Sequence, residues 1–290
     1  MNDARWIGFA YLGATALGWA LNWPAIKLLL REWPPLFSRG VAGVAASLIL
    51  VALASIRRER LSVPCHAIPR LLIAAFTNVF AWMGLATMAM KWLSVSEGAL
   101  LVYTMPIWAT LFAWPVLGTK PTLKDVAGLV LGILGIGILF DVQGFAFEHG
   151  KSWAMLLALS SAILFALGNV LNRSMITIPP IALAAWQVGL GCTAMVILGL
   201  TFEKPVFGAI SPTGGAILIY MTIIPMGVCY LTWFETLRRL PAATASTGML
   251  LVPVIGVIFA AVLIDEPLGA REVVAMALTL SGVALALQKS

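Results

Sequence analysis

Long apolar runs alternate with short polar joints along the whole chain. Ten runs reach the ~20 residues that a helix needs to cross a hydrocarbon layer of ~30 Å. They fall at residues 6–30, 34–56, 69–90, 95–117, 122–140, 153–174, 180–201, 213–237, 241–264 and 269–287. Proline marks the joints: Pro34-Pro35, Pro64 and Pro69, Pro121, Pro179-Pro180, Pro205 and Pro212, Pro241 and Pro267 stand in loops or first helical turns. Proline's missing N–H is tolerated there. The pattern predicts an all-α integral membrane protein of ten transmembrane helices with no separate soluble domain. One run breaks its own rule: "GWALNWPAIKLLL", residues 18–30, places Asn22 and Pro24 well inside the apolar stretch.

Composition points the same way. The 290 residues are 61% hydrophobic and 10% charged, with a mean hydropathy of +1.00. Soluble domains carry about 45–50% apolar and about 25% charged residues, so this chain cannot cover a water-facing surface. The net charge of +6 and pI near 9.5 reflect basic residues in short loops, which is a signature of membrane orientation and not of nucleic-acid binding. Ten spans put both termini on one side. With that side cytoplasmic, eleven Lys/Arg lie inside (Arg5, Arg57, Arg58, Arg60, Arg70, Lys120, Lys124, Arg173, Arg238, Arg239, Lys289) and seven outside or in outer helix ends (Lys27, Arg31, Arg39, Lys91, Lys151, Lys204, Arg271). The first apolar run is too long for a cleavable signal. The expected location is the bacterial inner (cytoplasmic) membrane, multi-pass, with both termini cytoplasmic.

Shifted by 147 residues, the chain partly matches itself without a gap. Trp6 falls on Trp153, Asn22 on Asn169, Pro106 on Pro253, Lys124-Asp125-Val126 on Arg271-Glu272-Val273, and Gly135 on Gly282. Residues 1–145 and 146–290 then form two units of five spans. Five is odd, so the second unit enters the membrane from the opposite face. Inverted repeats of this kind characterise secondary transporters, whose sites lie near the midplane between the halves. Asn22 and Asn169 each lie sixteen residues past a tryptophan, or ~24 Å along oppositely directed helices. Polar amides in lipid face a bundle interior or a wet cavity; they either bridge helices or line a pathway.

Two stretches carry a family resemblance. "ATMAMKWLSVSEGALLVYTMPIWATLFAWPVLGTKPTLKDVAGLVLGILGIGILF", residues 86–140, and "PAATASTGMLLVPVIGVIFAAVLIDEPLGAREVVAMALTLSGVALAL", residues 241–287, resemble the paired cores of EamA-type members of the drug/metabolite transporter superfamily. The family's acidic turn is present as Ile264-Asp265-Glu266-Pro267, whereas Thr119 replaces the carboxylate in the first copy. Within that superfamily the tryptophan-rich chain resembles YddG-like amino-acid exporters. The resemblance implies a ten-helix bundle of two inverted repeats, with the first, third, fourth, sixth, eighth and ninth helices around a central cavity. It also implies export.

Residues able to touch a solute follow from depth and spacing. The first span offers Thr15, Trp19, Asn22 and Trp23; the third Asn78 and Trp82; the fourth Tyr103, Trp108 and Thr110; the sixth Asn169 and Asn172; the eighth Tyr230 and Trp233. Deep tryptophans pack in a core or wall an aromatic pocket, whereas Trp6, Trp33, Trp92 and Trp153 sit at span ends as interfacial anchors. Pro24, Pro106, Pro225 and Pro253 are the candidate hinges. Charges are placed near span ends, with Lys27 and Arg39 one turn from the outer loop, close enough to snorkel. The chamber is therefore expected to lack fixed charge, which favours neutral or zwitterionic solutes over phosphorylated ones.

His66 and His149 lie in loops on opposite sides, no paired deep carboxylates occur, and Cys65, Cys192 and Cys229 form no disulfide framework. Neither a metal, a cofactor nor an enzyme is expected. The expected function is a secondary transporter exporting aromatic or other apolar amino acids, or similar small metabolites, by alternating access. The alternatives are a nucleotide-sugar, organic-phosphate or drug transporter of the same superfamily, and a channel. Its partners are the solute and the bilayer; the oligomeric state is left open, a monomer being compatible.

Overall fold

A computed structural model describes residues 3–118, 120–139, 150–172 and 178–287. Thr119, Asp141, His149, Arg173 and Lys289 lie outside the described residues, as do the last residues of the runs expected at 122–140 and 153–174. Among the described residues the protein is all-helical. Helices occupy each expected run: α1 (Asp3–Leu29), α2 (Pro35–Ile56), α3 (Cys65–Ala89), α4 (Val95–Leu117), α5 (Leu123–Leu139), α6 (Lys151–Leu171), α7 (Pro180–Glu203), α8 (Pro212–Arg239), α9 (Ala242–Gly248 and Leu251–Ile264) and α10 (Ala270–Leu287). Among the described residues, seven helices are long and apolar enough to cross a membrane. Leu48, Phe76, Leu134, Leu156, Ile197 and Val262 stand exposed on the outside of the bundle, as side chains solvated by lipid do.

The halves pack through each other. α2 lies against α7 and α5 against α10; α1 packs on α8 and α9, and α6 packs on α3 and α4. Exchanging the first five helices for the last five leaves this pattern unchanged. The α2–α7 and α5–α10 pairs each run antiparallel. A Cβ added to Gly40 would sit 2.7 Å from the Val196 nitrogen, one on Gly199 2.7 Å from the Phe37 nitrogen, and one on Gly189 3.3 Å from the Ser47 hydroxyl. On the other pair, a Cβ on Gly135 would lie 2.8 Å from the Ala275 carbonyl, and one on Gly282 3.0 Å from the Gly132 nitrogen. Lipid offers no hydrophobic drive for helix association, so close backbone approach at small residues supplies the packing.

Helix ends are tied across the same pair. Pro34 and Pro35 leave Leu36 and Phe37 with the orphan donors of α2's first turn, and both N–H groups donate to Glu203 at the end of α7, at 3.1 and 2.9 Å. Reciprocally, Ala182 N–H in the first turn of α7 donates to Glu59, beyond the end of α2, at 3.0 Å. A carboxylate at a helix N-terminus satisfies these donors and matches the helix dipole.

Several helices are irregular, as the apolar pattern does not reveal. α3 widens to π-helical turns over Phe76–Leu85 and α8 over Ile224–Val228. α4 steps through a tight turn at Tyr103 and Thr104, and α9 does so at Met249 and Leu250. Pro106 and Pro253 follow these breaks, where proline cannot supply the N–H that a continuous helix needs. α4 ends on Gly118 (φ 75°) and α9 on Asp265 (φ 55°), positions 147 apart; glycine and short polar residues tolerate that left-handed cap. α1, by contrast, continues through Pro24 without a break.

Candidate functional site

A cavity of about 510 Å³ opens where the irregular stretches meet. α1 supplies Trp19, Asn22 and Trp23, α3 Trp82, and the α4 break Tyr103 and Pro106. From the second half come Asn169 and Phe165 on α6, Pro225, Tyr230 and Trp233 on α8, and Ser246, Met249 and Leu250 at the α9 break. Both unusual amides of the repeat therefore face the same space. Its volume falls in the ~300–1,000 Å³ range of small-molecule sites.

Seven aromatic rings line the wall, and they are braced. Trp19 meets Tyr230 edge-on with centroids 5.9 Å apart and lies 6.1 Å from Trp233. Trp23 lies 6.4 Å from Tyr103, and Trp82 4.9 Å from Phe165. The Trp19 indole N–H donates to the Pro225 carbonyl at 2.9 Å, inside the widened turn of α8. Tyr220 donates to the Gly18 carbonyl at 2.8 Å, and the hydroxyls of Thr15 and Thr232 meet at 2.7 Å. These bonds tie α1 to α8 beside the cavity.

Six residues singled out from the sequence lie elsewhere. Asn78 is half-buried against α6, where its side-chain oxygen accepts from the Thr77 hydroxyl at 3.3 Å. The Trp108 indole donates to the Thr104 hydroxyl at 3.1 Å, bracing the α4 break from behind. Pro24 and Pro253 are buried and do not line the cavity. Thr110 and Asn172 bond back to their own helices, to the carbonyls of Pro106 and Gly168.

The expectation of a charge-free chamber does not hold. Arg39, only 5% exposed, lines the cavity. Its Nη1 donates to the Asn22 side-chain oxygen at 3.3 Å. One turn from the end of α2 looked shallow enough for snorkelling. However, α2 is enclosed by its neighbours there, so the side chain turns inward instead of outward to water.

A tightly packed cluster and a set of charged contacts lie beside the cavity. Trp23, Leu29, Met90, Leu93, Leu101, Leu157 and Val257 belong to a single buried cluster. Beyond it, Lys27 donates to the Met90 carbonyl at 3.0 Å and lies 4.0 Å from Glu266. Glu266 also accepts from Val95 N–H at 2.6 Å, at the start of α4. Burial pushes its carboxyl above the usual range, and Val95 N–H and Lys27 only partly offset that. Lys151 pairs with Glu97 at 2.6 Å. No group of His, Cys, Asp and Glu able to hold a metal occurs among the described residues.

The EamA-like transporter family model matches residues 6–140 and again residues 152–288. The chain belongs to the EamA-like transporter family. It is a multi-pass membrane protein and a transporter. Its relatives in Bacillus subtilis include the uncharacterized transporters YvbV, 27% identical over 94% of this chain and 88% of that one, and YoaV, 24% identical over 85% of each. A probable terminal-alkyne amino-acid exporter of Streptantibioticus cattleyicolor is 23% identical over 93% of this chain and 90% of its own. A crystal structure shares the fold, with a TM-score of 0.67 over 98% of this chain and 96% of the other at 21% identity.

Proposed function

We propose that this family member exports small apolar-bodied metabolites, aromatic or branched amino acids foremost, by alternating access through the cavity between its halves. The observation that carries this reading is the aromatic- and amide-lined chamber formed at paired helix breaks. Ten spans cross the bacterial inner membrane as two inverted units, residues 1–145 and 146–290, with both termini cytoplasmic. The contact exchange between halves and the antiparallel α2–α7 and α5–α10 pairs support that arrangement. Equivalent helices that meet antiparallel require a two-fold axis across them, and such an axis lies in the membrane plane.

The breaks give the halves something to move about. Tyr103–Thr104 and Met249–Leu250 each join a short helical arm to a longer one, and Pro106 and Pro253 keep each joint from healing into one rod. Rocking at these joints and at the widened turns of α3 and α8 would open the cavity to either face in turn. The exporter relative lends its printed substrate class, amino acids, to this proposal. Proteoliposomes offered labelled phenylalanine, tryptophan and leucine test it. Saturable uptake, competed within the set, is expected; flux that never saturates would favour a channel instead.

A further inference from the structure

Arg39 lines the cavity, and no acidic group among the described residues pairs with it. Guanidinium carries five N–H donors and cannot shed its charge in a protein. One donor reaches the Asn22 amide oxygen at 3.3 Å, while Nε is buried without a partner among the described residues. No Asp or Glu among the described residues lines the cavity. The ion pairs among the described residues join Lys27 to Glu266, Lys151 to Glu97, and Arg238 and Arg239 to Glu235, none of them involving Arg39. The repeat provides no second cation either. The position 147 residues on is Trp186, whose indole bonds the Leu61 carbonyl at 2.9 Å.

A buried cation is costly unless paired and hydrogen-bonded. No described residue supplies that partner, which points to a group from outside the chain. The planar fork of arginine matches a carboxylate through two parallel hydrogen bonds. Asn22 and Tyr230, which also line the cavity, add polar groups beside it. The rings of Trp19, Trp82, Phe165 and Trp233 surround the remaining space, and they suit an apolar body. Among the described residues, these walls offer no carboxylate to a solute's ammonium group and one positive charge to a phosphate dianion.

From this we infer that Arg39 is the carboxylate subsite of the transported solute. The cavity selects apolar monocarboxylates, and an α-ammonium group is tolerated but not required. This rests on the transporter reading above and deepens it, naming the chemical handle that the site grips.

The test uses matched phenyl compounds as competitors of labelled phenylalanine uptake by the full-length protein in proteoliposomes, with thermal shifts in detergent as a second readout. Phenylalanine and 3-phenylpropionate are expected to compete and to raise the melting temperature. Phenethylamine and phenylalaninamide, which lack the carboxylate, should be about 10- to 100-fold weaker, the loss of a charge-assisted pair. Arg39→Gln should erase the difference between acid and amide while the ligand-free protein melts no lower than wild type, because an unpaired buried charge has been removed. Should that variant fail to fold, Arg39→Lys, with a charge but no fork, is expected to keep the acid preference at reduced affinity. The assignment is overturned if phenylalaninamide competes as well as phenylalanine, or if Arg39→Gln keeps the wild-type preference; saturable uptake would then still support the transporter reading. Absence of saturable uptake for phenylalanine, together with no thermal shift from any compound, would overturn both.

Discussion

Removing the carboxylate of Glu203 tests whether the two halves hold each other by their helix ends. Two backbone donors, Leu36 N–H at 3.1 Å and Phe37 N–H at 2.9 Å, lose their acceptor in Glu203→Ala. A hydrogen bond to a charged group contributes about 1.5–3 kcal/mol when removed from a dry site and about 1 kcal/mol in ordinary cases. Glu203 is half-buried, so water reaches part of the exposed turn, and about 2 kcal/mol in total is expected. Glu59 serves one donor, Ala182 N–H at 3.0 Å, so Glu59→Ala should cost about half as much, near 1 kcal/mol. The two caps stand at opposite ends of α2, ~30 Å apart at 1.5 Å per residue. The double variant should therefore lose the sum, about 3 kcal/mol. Equilibrium unfolding in mixed detergent micelles reads these values, with Glu203→Gln expected between wild type and Glu203→Ala. A loss for Glu203→Ala within the ~0.5 kcal/mol of an ordinary surface substitution would refute the reciprocal capping.

Three further outcomes follow from the geometry. Gly40→Leu drives a side chain into the Val196 nitrogen and the Cys192 carbonyl, 2.7 and 2.9 Å from its Cβ. Its stability in the same unfolding assay should fall by about 1–3 kcal/mol, as overpacking does, whereas Gly13→Ala, with open space around it, should stay near wild type. Pro106→Ala and Pro253→Ala should fold normally yet slow uptake, because each lets a helix run through its joint; unchanged rates in both would remove those joints from the gating step. Hydrogen bonds from the Ser211 hydroxyl and N–H, both at 2.7 Å, hold the Glu32 carboxyl below its usual range. That tie is therefore fully present above the ordinary carboxylate pKa and is lost as pH falls through the lowered value. Acid titration of wild type should show loosening at the start of α8 only below the usual carboxylate range, and Ser211→Ala should move it upward.

Helix positions were legible because lipid requires ~20-residue apolar runs and proline marks their ends. The 147-residue register was legible too, since Asn22 and Asn169 have little reason to recur in apolar helices unless they share a task. Both amides reach the cavity. The fate of Arg39 was not legible. Distance along a helix cannot say which way a long side chain bends, and enclosure by neighbouring helices decided it. Asn78 and Trp108 look like wall residues by depth, yet one leans on α6 and the other braces the α4 turn, choices set by local partners. The capping role of Glu59 and Glu203 was hidden because each acts across the halves, and its only trace in sequence is the proline pairs that begin α2 and α7.

Counterflow tests the central claim most directly. Proteoliposomes loaded with unlabelled phenylalanine and diluted into a trace of labelled solute should accumulate label transiently above equilibrium, because a carrier that exposes its cavity to one face at a time returns loaded. Arg39→Gln vesicles should show a smaller overshoot, as their lowered affinity for the carboxylate requires. Label that merely equilibrates, at a rate indifferent to internal solute, would contradict alternating access through this cavity.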